Sequence, residues 1–357
     1  MELFLYQTLS FVLMLYGNLT QRESKELHFK ELKPKSVQIE SGKFVDVLGK
    51  EISGVLIDKK GRMWFPSNAE GLFVFDGERI IHYQKSEGLI CDFVNGVYED
   101  SNGFIWCTTR DGICKFDGVK FTDYTDTILN AKEGIIHISK KGIVFNRPDG
   151  LCYYDGRGFT FFKIHPEEYT PPANNNYRPY SMYASTIDES LNLWIGTQEK
   201  GVCVYNGFQT KWITGKYLDG PAVRAVFTDR KGVHWFGNNG GGLFRYDGKE
   251  LRNISEEKML MNDAFLKAKL PVDKPGSLAR VFAINEDVDG NLWIGTVDAG
   301  LWKYDGQRLT NFTKSQGLPD GRVLGISKDQ SGDLLVVTNE GAICRIHGGK
   351  IEPFSFK

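Results

Sequence analysis

Asp287-Val288-Asp289-Gly290-Asn291-Leu292-Trp293-Ile294-Gly295-Thr296, followed by Gly300-Leu301-Trp302-Lys303-Tyr304-Asp305-Gly306, is the best copy of a pattern that recurs along the chain. Trp64, Trp106, Trp194 and Trp235 take the place of Trp293, and further glycine-led segments begin at Gly71, Gly112, Gly150, Gly201 and Gly242. Two copies lack the tryptophan and carry Val144 and Leu335 instead. The sites are 42, 38, 50, 41, 58 and 42 residues apart, which makes seven units. A fixed period of about this length is the mark of a repeat architecture.

The copy around Trp235 shows the physics. Val226-Phe227-Thr228-Asp229 is an apolar strand that ends in a carboxylate, and Arg230-Lys231-Gly232 is a tight turn with a glycine free to take positive φ. Val233-His234-Trp235-Phe236 is apolar on both faces of its pleat, so both faces are expected to be covered. Leu243-Phe244-Arg245-Tyr246 is a third strand, Asp247-Gly248 reads as a type I′ hairpin turn, and 249–254 is a fourth strand. Four antiparallel strands repeated seven times predict an all-β, seven-bladed β-propeller, with each Trp packed between neighbouring blades. The only helix of any length is expected at 256–268. Residues 37–44 resemble a third and fourth strand without the first two. Either they add a strand to the last blade and lock the ring, or they cap that blade.

Composition narrows the function. Lys+Arg number 44 and Asp+Glu 45, a net charge of −1, without the basic excess of a nucleic-acid binder. Forty glycines beside 24 Phe, 15 Tyr and 7 Trp describe a turn-rich folded protein. Residues 3–16, LFLYQTLSFVLMLY, have the length of a signal-peptide core and are short for a stable membrane span, but no Lys or Arg precedes them. The expected organisation is a signal peptide or anchor over 1–20, a charged linker over 21–36 and the propeller over 37–357. The expected location is periplasmic or extracellular, with a cytoplasmic protein as the alternative. Cys114, Cys152, Cys203 and Cys344 recur at one place in the repeat and read as small core residues. Cys107 and Cys114 are the one pair able to meet across a hairpin.

The motif Asp-x-x-Gly-Asn-Leu-Trp-Ile-Gly-Thr with Gly-Leu-x-x-Tyr-Asp-Gly resembles the two-component regulator propeller repeat, over about residues 50–357. The resemblance implies a sensor propeller of the kind found outside the cytoplasm in hybrid two-component systems, where polysaccharide fragments are sensed. Those sensors usually carry two rings and further domains. The present sequence holds one ring and ends at Lys357, so the expectation is a stand-alone propeller.

Propeller connectivity puts the loops from a fourth strand to the next first strand on the same face as the loops between second and third strands. Both long insertions, 163–183 and 255–278, are of the first kind, which marks that face for binding. Arg224, Arg280 and Arg322 begin first strands at this face, and Arg110 and Arg147 lie in its second-to-third-strand loops. Arg178, Tyr177 and Tyr180 belong to the first insertion. Guanidinium groups suit carboxylate or sulfate, and tyrosines stack on sugar rings, so the expected ligand is a small molecule or an acidic oligosaccharide. The competing reading pairs each arginine with a carboxylate such as Asp111, Asp149, Asp298 or Glu340. No metal spacing, nucleophile elbow or phosphate loop is present, and no cofactor is expected. Asp287-Val288-Asp289-Gly290-Asn291 opens like a calcium loop but lacks the later ligands. The leading expectation is a non-catalytic binder. The alternatives are a propeller lyase or hydrolase akin to streptogramin lyases, with His165 or His234 as base, and a protein-interaction scaffold.

Overall fold

The computed structural model describes residues 42–170, 178–268 and 274–356. Its strands form seven antiparallel sheets, one per sequence unit, and this is a seven-bladed β-propeller. Blade 6 shows the plan: Val281–Glu286, Leu292–Thr296, Leu301–Tyr304 and Leu309–Phe312 pair in chain order from the innermost strand outward. Blades 1 to 5 and 7 span 43–83, 94–123, 143–162, 182–213, 223–253 and 323–353. The expected signal peptide or anchor and linker, residues 1–36, and the start of the N-terminal strand, residues 37–41, lie outside the described residues.

In six of the seven units one aspartate fastens the first two strands. Its Oδ1 accepts two turn N–H groups in six blades, at Asp58, Asp100, Asp188, Asp229, Asp287 and Asp329. In five of them Oδ2 also accepts the indole N–H of the second-strand tryptophan, at 2.8–3.0 Å. The Asp287 carboxylate is therefore saturated by Asp289, Asn291 and Trp293, which accounts for the resemblance to a calcium loop. Each tryptophan then packs onto the following blade: Trp64 on Phe116, Trp106 on Tyr154, Trp194 on the ring of His234 and Trp235 on Tyr304. Burying an aromatic with its one polar atom bonded gains its apolar area at little polar cost.

The structure corrects four expectations. The N-terminal strand Lys43–Val45 joins neither strand edge of the last blade. It pairs with Ile80–Tyr83 and becomes a fifth, outermost strand of blade 1. Blade 7 builds all four strands from the C-terminal segment. The ring closes by packing and by Ser327 Oγ donating to Val55 O at 2.7 Å, with Phe356 edge-on to Phe65 and Phe75. The 256–268 helix is two short ones, Ile254–Glu257 and Asp263–Ala268, separated where Met259 takes φ 57°, and a third lies at Thr125–Leu129. At Asp247-Gly248 only the glycine has positive φ (91°), so the turn is not type I′. Asp247 Oδ1 instead accepts the Lys249 and Glu250 N–H groups.

The fourth correction positions the site. Blade 3 has three strands, Ile143–Arg147, Gly150–Tyr154 and Phe159–Phe162, not four. The chain expected to form its first strand runs along the opposite edge of the sheet. Phe161 N donates to Lys132 O and Phe161 O accepts from Gly134 N, a parallel bridge outside the last strand. Ile136 then enters the core between blades 3 and 4, and Ser139 meets the Tyr153 hydroxyl. The turn here reads Ser139-Lys140-Lys141-Gly142, followed by Val144, so both the capping carboxylate and the indole it would hold are missing. Nothing fastens a first strand to the second.

Candidate binding site

First strands begin at the insertion-bearing face in a repeated β-bulge. The register shifts at Val94/Gly96, Met182/Ala184, Val223/Ala225, Val281/Ala283 and Val323/Gly325. Bulges re-aim one side chain each, here Asn95, Tyr183, Arg224, Phe282 and Leu324. Around blades 4 to 7 these residues fill the mouth of the channel. The Arg224 guanidinium lies 3.8 Å from the Tyr183 ring centroid and 5.3 Å from that of Phe282, and Phe282 packs with Leu324 and Val297. The second insertion seals the same sector. Its Phe265 is buried beneath Arg280, and Ser255 Oγ ties it to Leu278 O.

Blade 3 supplies no such side chain, and a recess opens there. A cavity of about 300 Å³ lies between blades 2, 3 and 4. Its back wall is the second strand of blade 3, through Val144, Phe145 and Asn146. That wall is set back from the channel by one strand spacing, roughly 4.8 Å. Blade 2 contributes Asn95, Tyr98, Thr108 and Ile113, blade 4 contributes Met182 and Tyr183, and Arg110-Asp111 stand at the rim. Burial pushes the Tyr98 hydroxyl up to about 12, so it stays neutral. Among the described residues, the side chains of Asn95, Arg110, Asp111 and Tyr183 have no hydrogen-bond partner in a recess otherwise satisfied within the fold.

The seven candidate residues among the described ones are dispersed by this geometry. Arg110 is exposed at the recess rim, with its guanidinium 4.0 Å from the Phe93 ring centroid. Arg147 is committed: it grips Asp149 bidentately at 3.0 and 2.9 Å, and donates to the carbonyls of Ile128 and Ala131. Arg178 donates to Pro148 O. Tyr180 joins His165, Tyr169 and Trp212 in an aromatic cluster on the first insertion. Arg224 is stacked as described. Arg280, 8% exposed, donates through Nε to Asn239 Oδ1 at 3.1 Å. Arg322 is exposed at blade 7, away from the recess. Tyr177 lies outside the described residues. The two histidines considered as bases are occupied. Both His165 nitrogens face backbone carbonyls, of Pro166 and Asp149, and His234 stacks at 3.7 Å on Trp194 and bonds Thr228 Oγ1. All six cysteines are free and buried, with Cys107 and Cys114 opposite each other in the blade 2 ladder.

Thr108, Asn146 and Tyr183 were not among the candidates. A signal was present in part: blades 4, 5 and 6 carry Gly196, Gly237 and Gly295 where blades 2 and 3 carry Thr108 and Asn146, although blades 1 and 7 carry Pro66 and Val337 there and neither borders the recess. A Cβ on Gly237 or Gly295 would sit 2.5 Å from Val281 or Val323 of the next first strand. Thr108 has room because the next blade has no first strand.

Among the described residues no helix is long and apolar enough to cross a membrane. No curated protein matches the sequence significantly. Among solved structures, the chain is similar to the extracellular domain of the putative hybrid two component system BT3049 from B. thetaiotaomicron, with TM-score 0.61 and 21% identity over 87% of this chain and 41% of that one. It is also similar to the corresponding domain of BT4673 from B. thetaiotaomicron (TM-score 0.57, 16% identity, 88% and 40%). A streptogramin B lyase structure aligns with TM-score 0.61 and 14% identity, over 85% of this chain and 95% of that one. The chain spans about two fifths of the length of the two sensor domains, and at these identities the likeness shows the fold. The sequence model of the two component regulator propeller family matches residues 275–298, the unit around Trp293, so the chain carries the repeat of that family.

Proposed function

We propose that this chain is a sensor-type, non-catalytic binding propeller acting outside the cytoplasm, and that its ligand enters the blade 3 recess from the insertion-bearing face. The observation that carries the reading is the recess itself: a walled cavity on the face with both insertions, bordered by the few unpartnered polar side chains. Arg110 takes an anionic group of the ligand, a carboxylate or sulfate such as an acidic oligosaccharide or small acid presents, and Tyr183 offers a ring face and a hydroxyl. Arg178, which meets Pro148 O beside the recess, and Tyr180 on the same insertion extend the polar rim for a longer ligand, whereas Arg322 stands at blade 7, away from it. The likeness to extracellular sensor domains supports the sensing role and the location. A lyase is the runner-up on fold alone, and the occupied rings of His165 and His234 weigh against it.

Calorimetry with acidic and neutral oligosaccharides, on wild type, Arg110→Ala and the Arg280→Ala/Arg322→Ala pair, tests the assignment. Loss of about tenfold in affinity at Arg110→Ala, with little change in the pair, is expected. Equal binding by Arg110→Ala would move the site elsewhere.

A further inference from the structure

The recess has the shape of a missing strand. Ile143–Arg147 is the edge strand of blade 3, paired on one side only, with Gly150–Tyr154. In an antiparallel ladder the residues that exchange hydrogen bonds alternate. Counting from the two-residue turn Pro148-Asp149, Arg147, Phe145 and Ile143 bond to the third strand. Val144 and Asn146 turn their backbone N–H and C=O groups to the channel. The corresponding residues of blade 2, Trp106 and Thr108, pair there with Tyr98 and Gly96 of a first strand. The side walls also suit a strand. A chain lying on Val144 and Asn146 would point alternate side chains to Ile113, Tyr98 and Phe145 on one face, and to Val144 and Met182 on the other.

We infer that the recess is a strand acceptor: it takes a short extended peptide, antiparallel to Ile143–Arg147, as the fourth strand that blade 3 lacks. This rests on the reading of the recess as the ligand seat and names the ligand class. Backbone hydrogen bonds to Val144 and Asn146 supply affinity, and the two side walls select small apolar residues at alternate positions. An antiparallel peptide has its N-terminal end at the rim, because Arg147 is the end of its strand nearest the insertion-bearing face. An acidic group on that end meets Arg110.

The probe is a peptide copying the blade 6 first strand, Val281–Glu286, with an N-terminal succinyl group and a C-terminal amide. Binding to the full chain is measured by calorimetry, alongside two N-methylated series that block alternate amides. Methylation of the amides facing Val144 and Asn146 is expected to weaken binding at least about tenfold, and methylation of the alternate set about twofold or less. Thr108→Leu, which fills the recess, is expected to abolish peptide binding while leaving the melting transition in place. Peptide binding indifferent to which amides are methylated overturns the inference. Acidic oligosaccharide binding that depends on Arg110, without peptide binding, also overturns it and leaves the proposed function standing. Binding of neither class overturns both.

Discussion

Blade 6 and blade 3 are built on the same repeat and differ in one fastening. In blade 6 the Asp287 carboxylate holds the turn through Oδ1 and the Trp293 indole through Oδ2, and Trp293 is wholly buried. In blade 3 neither partner exists, and the segment that would be the first strand crosses to the far edge of the sheet. Blade 7 separates the two halves of the fastening. It keeps Asp329 and its turn hydrogen bonds, carries Leu335 in place of the tryptophan, and retains its first strand. The carboxylate that organises the turn is thus the part a first strand needs, and the indole adds burial. The comparison also locates the site: the recess exists where one unit fails to complete the pattern that the others share.

The largest expected effect comes from the indole. Trp293→Ala should cost about 3–5 kcal/mol, the usual range for a buried aromatic. Val144→Ala at the same place in blade 3 removes two methyl groups and should cost roughly 2 kcal/mol. Reversible denaturant melts of both variants test this. Equal losses would mean that the tryptophan sites are interchangeable with the degenerate one.

The carboxylate is next. Asp287→Asn keeps the shape but sets an amide against the Trp293 N–H, and should cost about 1.5–3 kcal/mol at neutral pH. Burial raises the Asp287 carboxyl, but the bonds from Trp293 and Asn291 outweigh it and leave the group below its ordinary value. A folded value below the unfolded one, near 3.9, stabilises above that pH and is lost as pH falls through the folded value. The gap between wild type and Asp287→Asn should therefore be constant from about pH 5 to 8 and narrow below about pH 4. A gap that persists unchanged into acid would show that the charge contributes nothing.

The fold was legible in the sequence because its causes are local and repeated: an aspartate-led turn in six of seven units, a tryptophan in five, and a second glycine turn after it. The site was less legible because it arises from an absence. Val144 and the carboxylate-free turn before it were visible as a loose copy, but a weak match does not say that a strand has crossed the sheet. Being at one mouth in sequence terms does not fix what each arginine meets: Arg147 pairs with Asp149 and Arg280 bonds Asn239. Of the seven candidates among the described residues, Arg110 alone lines the recess.

The smallest effect gives the sharpest test of the vacated strand. Gly295 has ordinary backbone angles, so its role is space: a Cβ there would lie 2.5 Å from Val323 Cγ1 in the next blade. Gly295→Ala should cost about 1–3 kcal/mol, as over-packing does, reduced by the entropy that alanine removes from the unfolded chain. Thr108 occupies the same place in blade 2 but faces the recess. Thr108→Ala should change stability by no more than about 0.5 kcal/mol. At Gly295 the valine of the next first strand leaves no space for a side chain, whereas Thr108 faces a blade that has no first strand, so the asymmetry between these two positions depends on blade 3 lacking one. A Thr108→Ala loss as large as that of Gly295→Ala would mean that Thr108 is packed against a strand after all, and the recess would go with it.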